Sequence, residues 1–394
     1  MALLPIARST RRCAGRALLA AAGLLLATSA LAADPIKIGL VAALSGPSAQ
    51  SGEAITQGLT IAIDEINAAG GVLGRQLQLV RRDDESSPPK GSTAARELIY
   101  DEKVAAIFGG LDTPVSVAIV PIVNKEHVPY MGVWAAGTPI TRNGANPNFA
   151  FRVSAVDALV DEALLKRAQK QYGAKKPGLI LINNPWGESN ENGLKEASKR
   201  LGIPLAGVEK FENADVDVVP QLTRLKNAGA DALVLVANAA PGAQMMKSRA
   251  RMGWNVPVVS HWGISGGRFT ELAGPPAGEV VFVQTYSFFG PQNAAGQKVL
   301  EALKSKYKLG GPEAVFSPVG VANAYDAMHL VALAIKKAGS TKGDAVQQAL
   351  QGIDEYKGLI KTYQKPFSAE NHDALGSDDY IFVRYEGTRI VPVN

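Results

Sequence analysis

Cysteine is almost missing from this 394-residue chain, and the one present, Cys13, lies near the N-terminus. The surrounding stretch also lacks acidic residues. Arg8, Arg11, Arg12 and Arg16 precede an apolar run from Ala17 to Ala27, and Ala30-Leu31-Ala32 then places small residues two apart. Basic, apolar, then small is the order of a secretory signal. The run falls short of the ~20 residues that span a bilayer. Residues 1–32 are therefore expected to be cleaved near Ala33, leaving the mature protein in the periplasm. Without Cys13, disulfides, thiol catalysis and thiolate metal ligands are excluded from it. A lipid-attachment cysteine would follow the apolar run, whereas Cys13 precedes it, so a free soluble protein is expected.

Net charge is also lacking once the signal is gone. The chain has 41 basic and 36 acidic residues, and removal of the four signal arginines leaves 37 against 36. No basic footprint for nucleic acid remains. Histidine is scarce: His127, His261, His329 and His372 are scattered, with no paired spacing for a metal. No serine sits in a nucleophile elbow. Gly70-Gly71-Val72-Leu73-Gly74 follows a helical pattern rather than a strand, which suits a helix stop and not a dinucleotide loop. Asp83-Asp84-Glu85 and Asp378-Asp379 read as solvated loop ends or caps. No catalytic residue, metal or cofactor is expected, and no second long apolar run is seen after Ala33.

What the chain does have is alternation. Ile36 to Val41 reads as a strand, Ile55, Leu59, Ala62, Ile63 and Ile66 recur at helical spacing, and Leu77 to Val80 is a strand again. Ala105 to Phe108 is a short, wholly apolar strand, as a parallel sheet covered on both faces requires. The rhythm restarts after Arg152, with strands expected at Gly178–Ile182, Ile203–Val208, Ala232–Val236, near Val258 and at Gly278–Val283. Helices separate these strands. Two helices, Ala294–Tyr307 and Val319–Ala338, and two closing strands complete the pattern. Two such blocks imply an α/β fold of two doubly wound, Rossmann-like lobes.

Ligands in open α/β sheets bind beyond the carboxyl ends of the strands. That rule nominates the loops Ser45–Ser51, Gly110–Thr113 with Leu111 and Asp112, and Trp134–Thr138 in the first block. In the second block it nominates Asn184–Gly187, Asn238–Ala240 and His261–Ser265. Trp134, Trp186 and Trp262 all fall in these loops, and Trp254 alone among the tryptophans does not, which points to an aromatic-lined cleft. Thr113-Pro114 and Thr138-Pro139 each read as a capping hydroxyl followed by proline at the first helical position. Two helix starts at one cleft suit a carboxylate.

The residues resemble a known family. Leu44-Ser45-Gly46-Pro47 with Gly52, the run from Ala62 to Arg75, and Asp83-Asp84 look like the start of leucine/isoleucine/valine-binding proteins, the type I periplasmic solute-binding proteins of ABC importers. Asn146 to Arg152, Asn184-Pro185-Trp186-Gly187 and Asp326-Ala327 fit the same pattern. The resemblance implies a three-crossover hinge closing on a small-molecule ligand, delivery to an ABC permease at the inner membrane, and a monomer. It maps the lobes as 34–153 plus 284–363 and 154–283 plus 364–394. The strand-end rule and the resemblance together give expected ligand contacts at Ser45, Leu111, Asp112, Thr113, Trp134, Ala135, Ala136, Thr138, Trp186, Asn238 and Trp262. Thr113 stands for the gripping serine, Ala135-Ala136 with Thr138 for a small-small-threonine loop, and Trp186 for the aromatic cover. Trp262 stands near the place of the glutamate that pairs with an amino acid's ammonium. This departure favours a carboxylate-bearing apolar or aromatic acid over a branched-chain amino acid, whereas Asp112, if its side chain faces the cleft, would repel a carboxylate and serve as a substitute ammonium partner. A sensor presenting its ligand to a membrane kinase is the other role open to such lobes.

Overall fold

The computed structural model describes residues 1–2 and 33–393, so the expected signal lies almost wholly outside the described residues. Residues 35–394 form one unit.

Strands β1 (Ile36–Ala42), β2 (Leu77–Asp83), β3 (Ile107–Gly109), β4 (Tyr130–Gly132) and β5 (Ala150–Arg152) make the first sheet. Its order is β2-β1-β3-β4-β5 and every pair is parallel. Parallel strands need crossovers, here α1 (Ala49–Ala68), α2 (Pro88–Tyr100) and α3 (Thr113–Glu126). The order reverses direction between β1 and β3, so the loops after these two strands diverge and leave a crevice. Residues Ile38, Leu40 and Phe108 have no exposed surface, as a sheet covered on both faces demands.

The second sheet contains β6 (Gly178–Ile182), β7 (Gly207–Phe211), β8 (Leu233–Val236), β9 (Val258–Ser260) and β10 (Val280–Gln284), all parallel. Helices α4 (Asp157–Tyr172), α5 (Pro185–Leu201), α6 (Val219–Asn227), α7 (Ala239–Arg251) and α8 (Phe269–Ala273) accompany them. The chain then returns to the first half as α9 (Ala294–Tyr307), α10 (Pro318–Ala338), α11 (Gly343–Gln351) and the hairpin β11 (Glu355–Lys357) and β12 (Thr362–Gln364). Finally β13 (Ile381–Glu386) and β14 (Arg389–Pro392) extend the second sheet antiparallel, giving the order β14-β13-β10-β9-β8-β6-β7. The chain therefore passes between the sheets three times, at 153–156, 285–293 and 365–380.

Two expectations are corrected. The strand read at Ile203–Val208 begins only at Gly207, because the Ile203 N–H is spent on Ser198 O at the end of α5 and pairing with β6 starts at Gly178. A second long apolar run does exist: α10, 21 residues, is apolar enough to span a membrane. It is a core helix instead. Val321, Ala324 and Met328 have no exposed surface, and its Asp326 accepts from Leu359 N (2.6 Å), Ile360 N (2.9 Å) and Tyr363 Oη (2.9 Å), tying down the hairpin.

α10 packs on α1 at van der Waals closeness. A Cβ on Gly58 would stand 2.2 Å from Val321 O and 3.0 Å from the Ala324 Cβ. Gly58→Ala is expected to force the two helices apart and destabilise the protein by about 1–3 kcal/mol, read as a lower midpoint in urea with an unchanged slope.

Candidate ligand-binding site

The carboxyl ends of both sheets face one seam, and an aromatic and acidic cluster fills it. Trp134 follows β4 and Trp262 follows β9; their rings meet edge-on, 6.4 Å between centroids. The Trp262 N–H donates to His261 Nδ1 at 2.8 Å. With Nδ1 accepting, the imidazole keeps its hydrogen on Nε2, and that atom stands 3.0 Å from Asp157 Oδ1, off the axis of a well-aligned hydrogen bond. Trp186 lies edge-on to His261 at 5.1 Å and donates from its indole Nε1 to the same Asp157 oxygen at 3.2 Å.

Local sequence explains how Trp186 is held. Asn184 caps α5, accepting from Trp186 N (2.9 Å) and Gly187 N (3.1 Å), and Pro185 takes the first helical position, where its missing N–H costs nothing. Asp157 is the first residue of α4, where the helix's free N–H groups favour a negative charge.

Direct hydrogen bonds cross the seam. Asn238 Nδ2 donates to Asp112 Oδ1 (2.8 Å), Thr138 N to Ser189 Oγ (3.1 Å), Ala158 N to Thr138 Oγ1 (3.2 Å), and Ser317 Oγ to Ser265 O (2.8 Å). The Asp157 N–H reaches Ala136 O at 2.9 Å. Behind the loop, fully buried Arg152 donates to Gly137 O (2.9 Å), Thr141 Oγ1 (2.9 Å) and Asp373 Oδ1 (2.8 Å), which fixes the loop against the third crossover.

These contacts change the reading of the two threonines. Thr138-Pro139 opens a single 3-10 turn, Thr138–Ile140, and not a helix. Its first N–H is already given to Ser189, so it offers no anion seat. Thr113 is the first residue inside α3, after Asp112, and caps nothing; its hydroxyl accepts from Gly137 N at 3.2 Å. Proline sits second in both turns because the preceding residue already has helical backbone.

The other nominated residues separate into two groups. Leu111, Ala135 and Ala136 are buried at the seam, and a Cβ on Gly266 would stand 3.1 Å from the Leu111 side chain. Ser45 is exposed at the rim, bonded to Asp83. Burial raises the Asp112 carboxyl above the usual range, opposed by hydrogen bonds from Ser86 and Asn238. Asp84, read as a solvated loop end, is in fact buried. Burial, with Asp112 and Asp83 nearby, pushes its carboxyl up to about 7 against a hydrogen bond from Ser86 N. Asp157 and Ser189 were missed because they sit inside helices rather than in strand-end loops. A buried acid as the first residue of a helix just past the first crossover was the available signal for Asp157.

Several buried polar atoms at this seam have no hydrogen-bond partner among the described residues: Trp134 Nε1, His261 Nε2, Asp157 Oδ2, Asp112 Oδ2 and Gln284 Oε1. Two are donors and three are acceptors, so the seam retains capacity both to accept and to donate hydrogen bonds.

The periplasmic binding protein family model matches residues 35–389. The chain belongs to that family. It is 26% identical over 348 residues to a leucine-, isoleucine-, valine-, threonine- and alanine-binding protein of Pseudomonas aeruginosa, covering 86% of this chain and 90% of that one. Among solved structures, a type 1 periplasmic binding protein of Bordetella pertussis superimposes with a TM-score of 0.81 at 25% identity, over 91% of this chain and 100% of the other. A Rhodopseudomonas palustris ABC-transporter solute-binding protein in complex with 4-hydroxybenzoate gives 0.78 at 21% identity, over 92% and 96%. The fold is thus the type I one of this family, two Rossmann-like lobes joined by three crossovers.

Asn238→Ala removes one of the side-chain hydrogen bonds that cross the seam. Loss of one such bond is worth about 0.5–1.5 kcal/mol, a roughly 2- to 10-fold shift toward an open form. Small-angle scattering of the ligand-free variant is expected to show a larger radius of gyration than wild type.

Proposed function

We propose that this protein is the periplasmic substrate-binding component of an ABC importer of the branched-chain amino acid type. Its seam is the ligand cleft between lobes 34–153 plus 284–363 and 154–283 plus 364–394. The ligand is a small carboxylate-bearing apolar or aromatic molecule, amino acids included. The single observation behind this reading is a chain of contacts where the two sheets' loops face each other: Trp134 meets Trp262, Trp262 and Trp186 both meet His261, and Trp186 donates to the buried Asp157 carboxylate.

The parts divide the work. Trp134 and Trp262 supply apolar walls, flanked by the small side chains of Ala135 and Ala136. Asp157 supplies the acidic partner that sequence reading placed nowhere but Asp112. An amino acid and a hydroxybenzoate share one feature that suits this wall: a carboxylate together with a hydrogen-bond donor. The ligand's donor goes to Asp157, and its carboxylate turns toward the first lobe and the Trp134 indole N–H. No bond is made or broken. A guest touching both lobes stabilises the shut form in proportion to the contacts it makes only there.

Calorimetric titration with leucine, benzoate and 4-hydroxybenzoate tests this. Leucine or 4-hydroxybenzoate is expected to bind more tightly than benzoate, which lacks the donor. Trp186→Ala should weaken that binding at least about tenfold, the loss expected for one buried aromatic contact of this size. No heat from any of the three, or an unchanged affinity in Trp186→Ala, removes the cleft as assigned.

A further inference from the structure

Helix α4 carries two aspartates one turn apart on the same face, Asp157 and Asp161, and neither has any exposed surface. Asp157 is provided for, with Trp186 and His261 at one oxygen and the helix start behind it. Asp161 is not: neither of its oxygens has a hydrogen-bond partner among the described residues. It presses on α5 where that helix has no side chain. A Cβ on Gly193 would stand 2.0 Å from Asp161 Oδ2.

The elements packed around Asp161 bring no counter-charge. On α5, Asn190 has an unpartnered Oδ1, and Glu191 is paired with Lys195 and Lys210 on the outer face. The strands β8, β9 and β10 present apolar side chains, with His261 beyond them engaged by Asp157 and Trp262. On α4 itself Glu162 is taken by Lys166 and Arg200, and below it Asp379 is taken by Lys361. Two buried carboxylates one turn apart, without a cation, do not both hold a charge at modest cost. Burial, and then the neighbouring Asp157, hold the Asp161 carboxyl well above the usual carboxylate range.

We propose that Asp161 keeps its proton and donates it to the free Oδ2 of Asp157, so that the pair carries one shared negative charge that selects the donor pole of the ligand. Asp161 is then a positioning residue acting through Asp157. A ligand carboxylate is turned away from α4, and a hydroxyl or a single ammonium is accepted there. The selecting role rests on the binding reading above; the shared proton does not.

Melting temperatures of ligand-free wild type and Asp161→Asn, from pH 5 to pH 8, test the proton. The folded protein holds a proton that the unfolded chain releases near pH 4, so wild-type stability declines as pH rises above that value. The amide has nothing to release, so the melting temperature of the variant relative to wild type is expected to rise by at least about 3 °C across this range. A constant gap overturns the shared proton. Infrared spectroscopy at pH 8 is the second readout and needs no folded Asp161 variant. A protonated-carboxyl band that survives in Asp84→Asn and Asp112→Asn supports the proposal, and its absence overturns it. For selection, leucine and 4-hydroxybenzoate are titrated at pH 6. Asp161→Asn, whose amide can still donate to Asp157, is expected to stay within about threefold of wild type, and Asp161→Leu, which cannot, to lose at least about tenfold, as Asp157→Asn does, the size of one charge-assisted hydrogen bond. An Asp161→Leu affinity equal to wild type overturns the selecting role. Failure of both compounds to bind wild type removes that role together with the cleft assignment, and the pH-dependent gap still decides the proton.

Discussion

A guanidinium with no exposed surface sits where the chain leaves the first sheet. Arg152 ends β5, holds the loop carrying Ala135 to Thr138 through Gly137 O and Thr141, and closes on Asp373 from the last crossover. A buried charge of this kind is tolerable only when every partner is in place. The arginine therefore couples three segments distant in sequence into one arrangement. The seam residues of the first half hang from it: without that loop in position, Trp134 does not meet Trp262, and Thr138 does not meet Ser189.

The second half shows the same logic with the sign reversed. Asp157 is a buried acid at the junction, and the groups that answer it come from different elements: the indole of Trp186 from α5, the imidazole of His261 after β9, and the peptide groups at the start of α4. Two opposite buried charges, each satisfied by side chains from several elements, bracket the crossover between β5 and α4. The seam lies between them, and its unpartnered atoms are mostly acceptors.

Much of the fold was legible in the chain. The buried apolar runs at Ile36–Val41 and Gly178–Ile182 mark covered parallel strands, and the strand-end rule correctly led to the loops where the tryptophans meet. The chemistry within those loops was less legible. Thr138-Pro139 has the local signature of a helix start, yet the chain turns once and gives its N–H to Ser189, because a contact 51 residues away competes with the helix. Asp84 has the local signature of a solvated loop end, yet Asp112 and the first sheet bury it.

Composition and periodicity by themselves determined the class, alternating strands and helices in two blocks, because burial of parallel strands and the capping of helices are local demands written in successive residues. Which side chains share the seam was decided only by tertiary structure. Asp157, Asp161, His261 and Ser189 acquire their meaning from neighbours supplied by other elements, and the electrostatic cost of burying a carboxylate depends on every group around it, wherever in the chain that group lies.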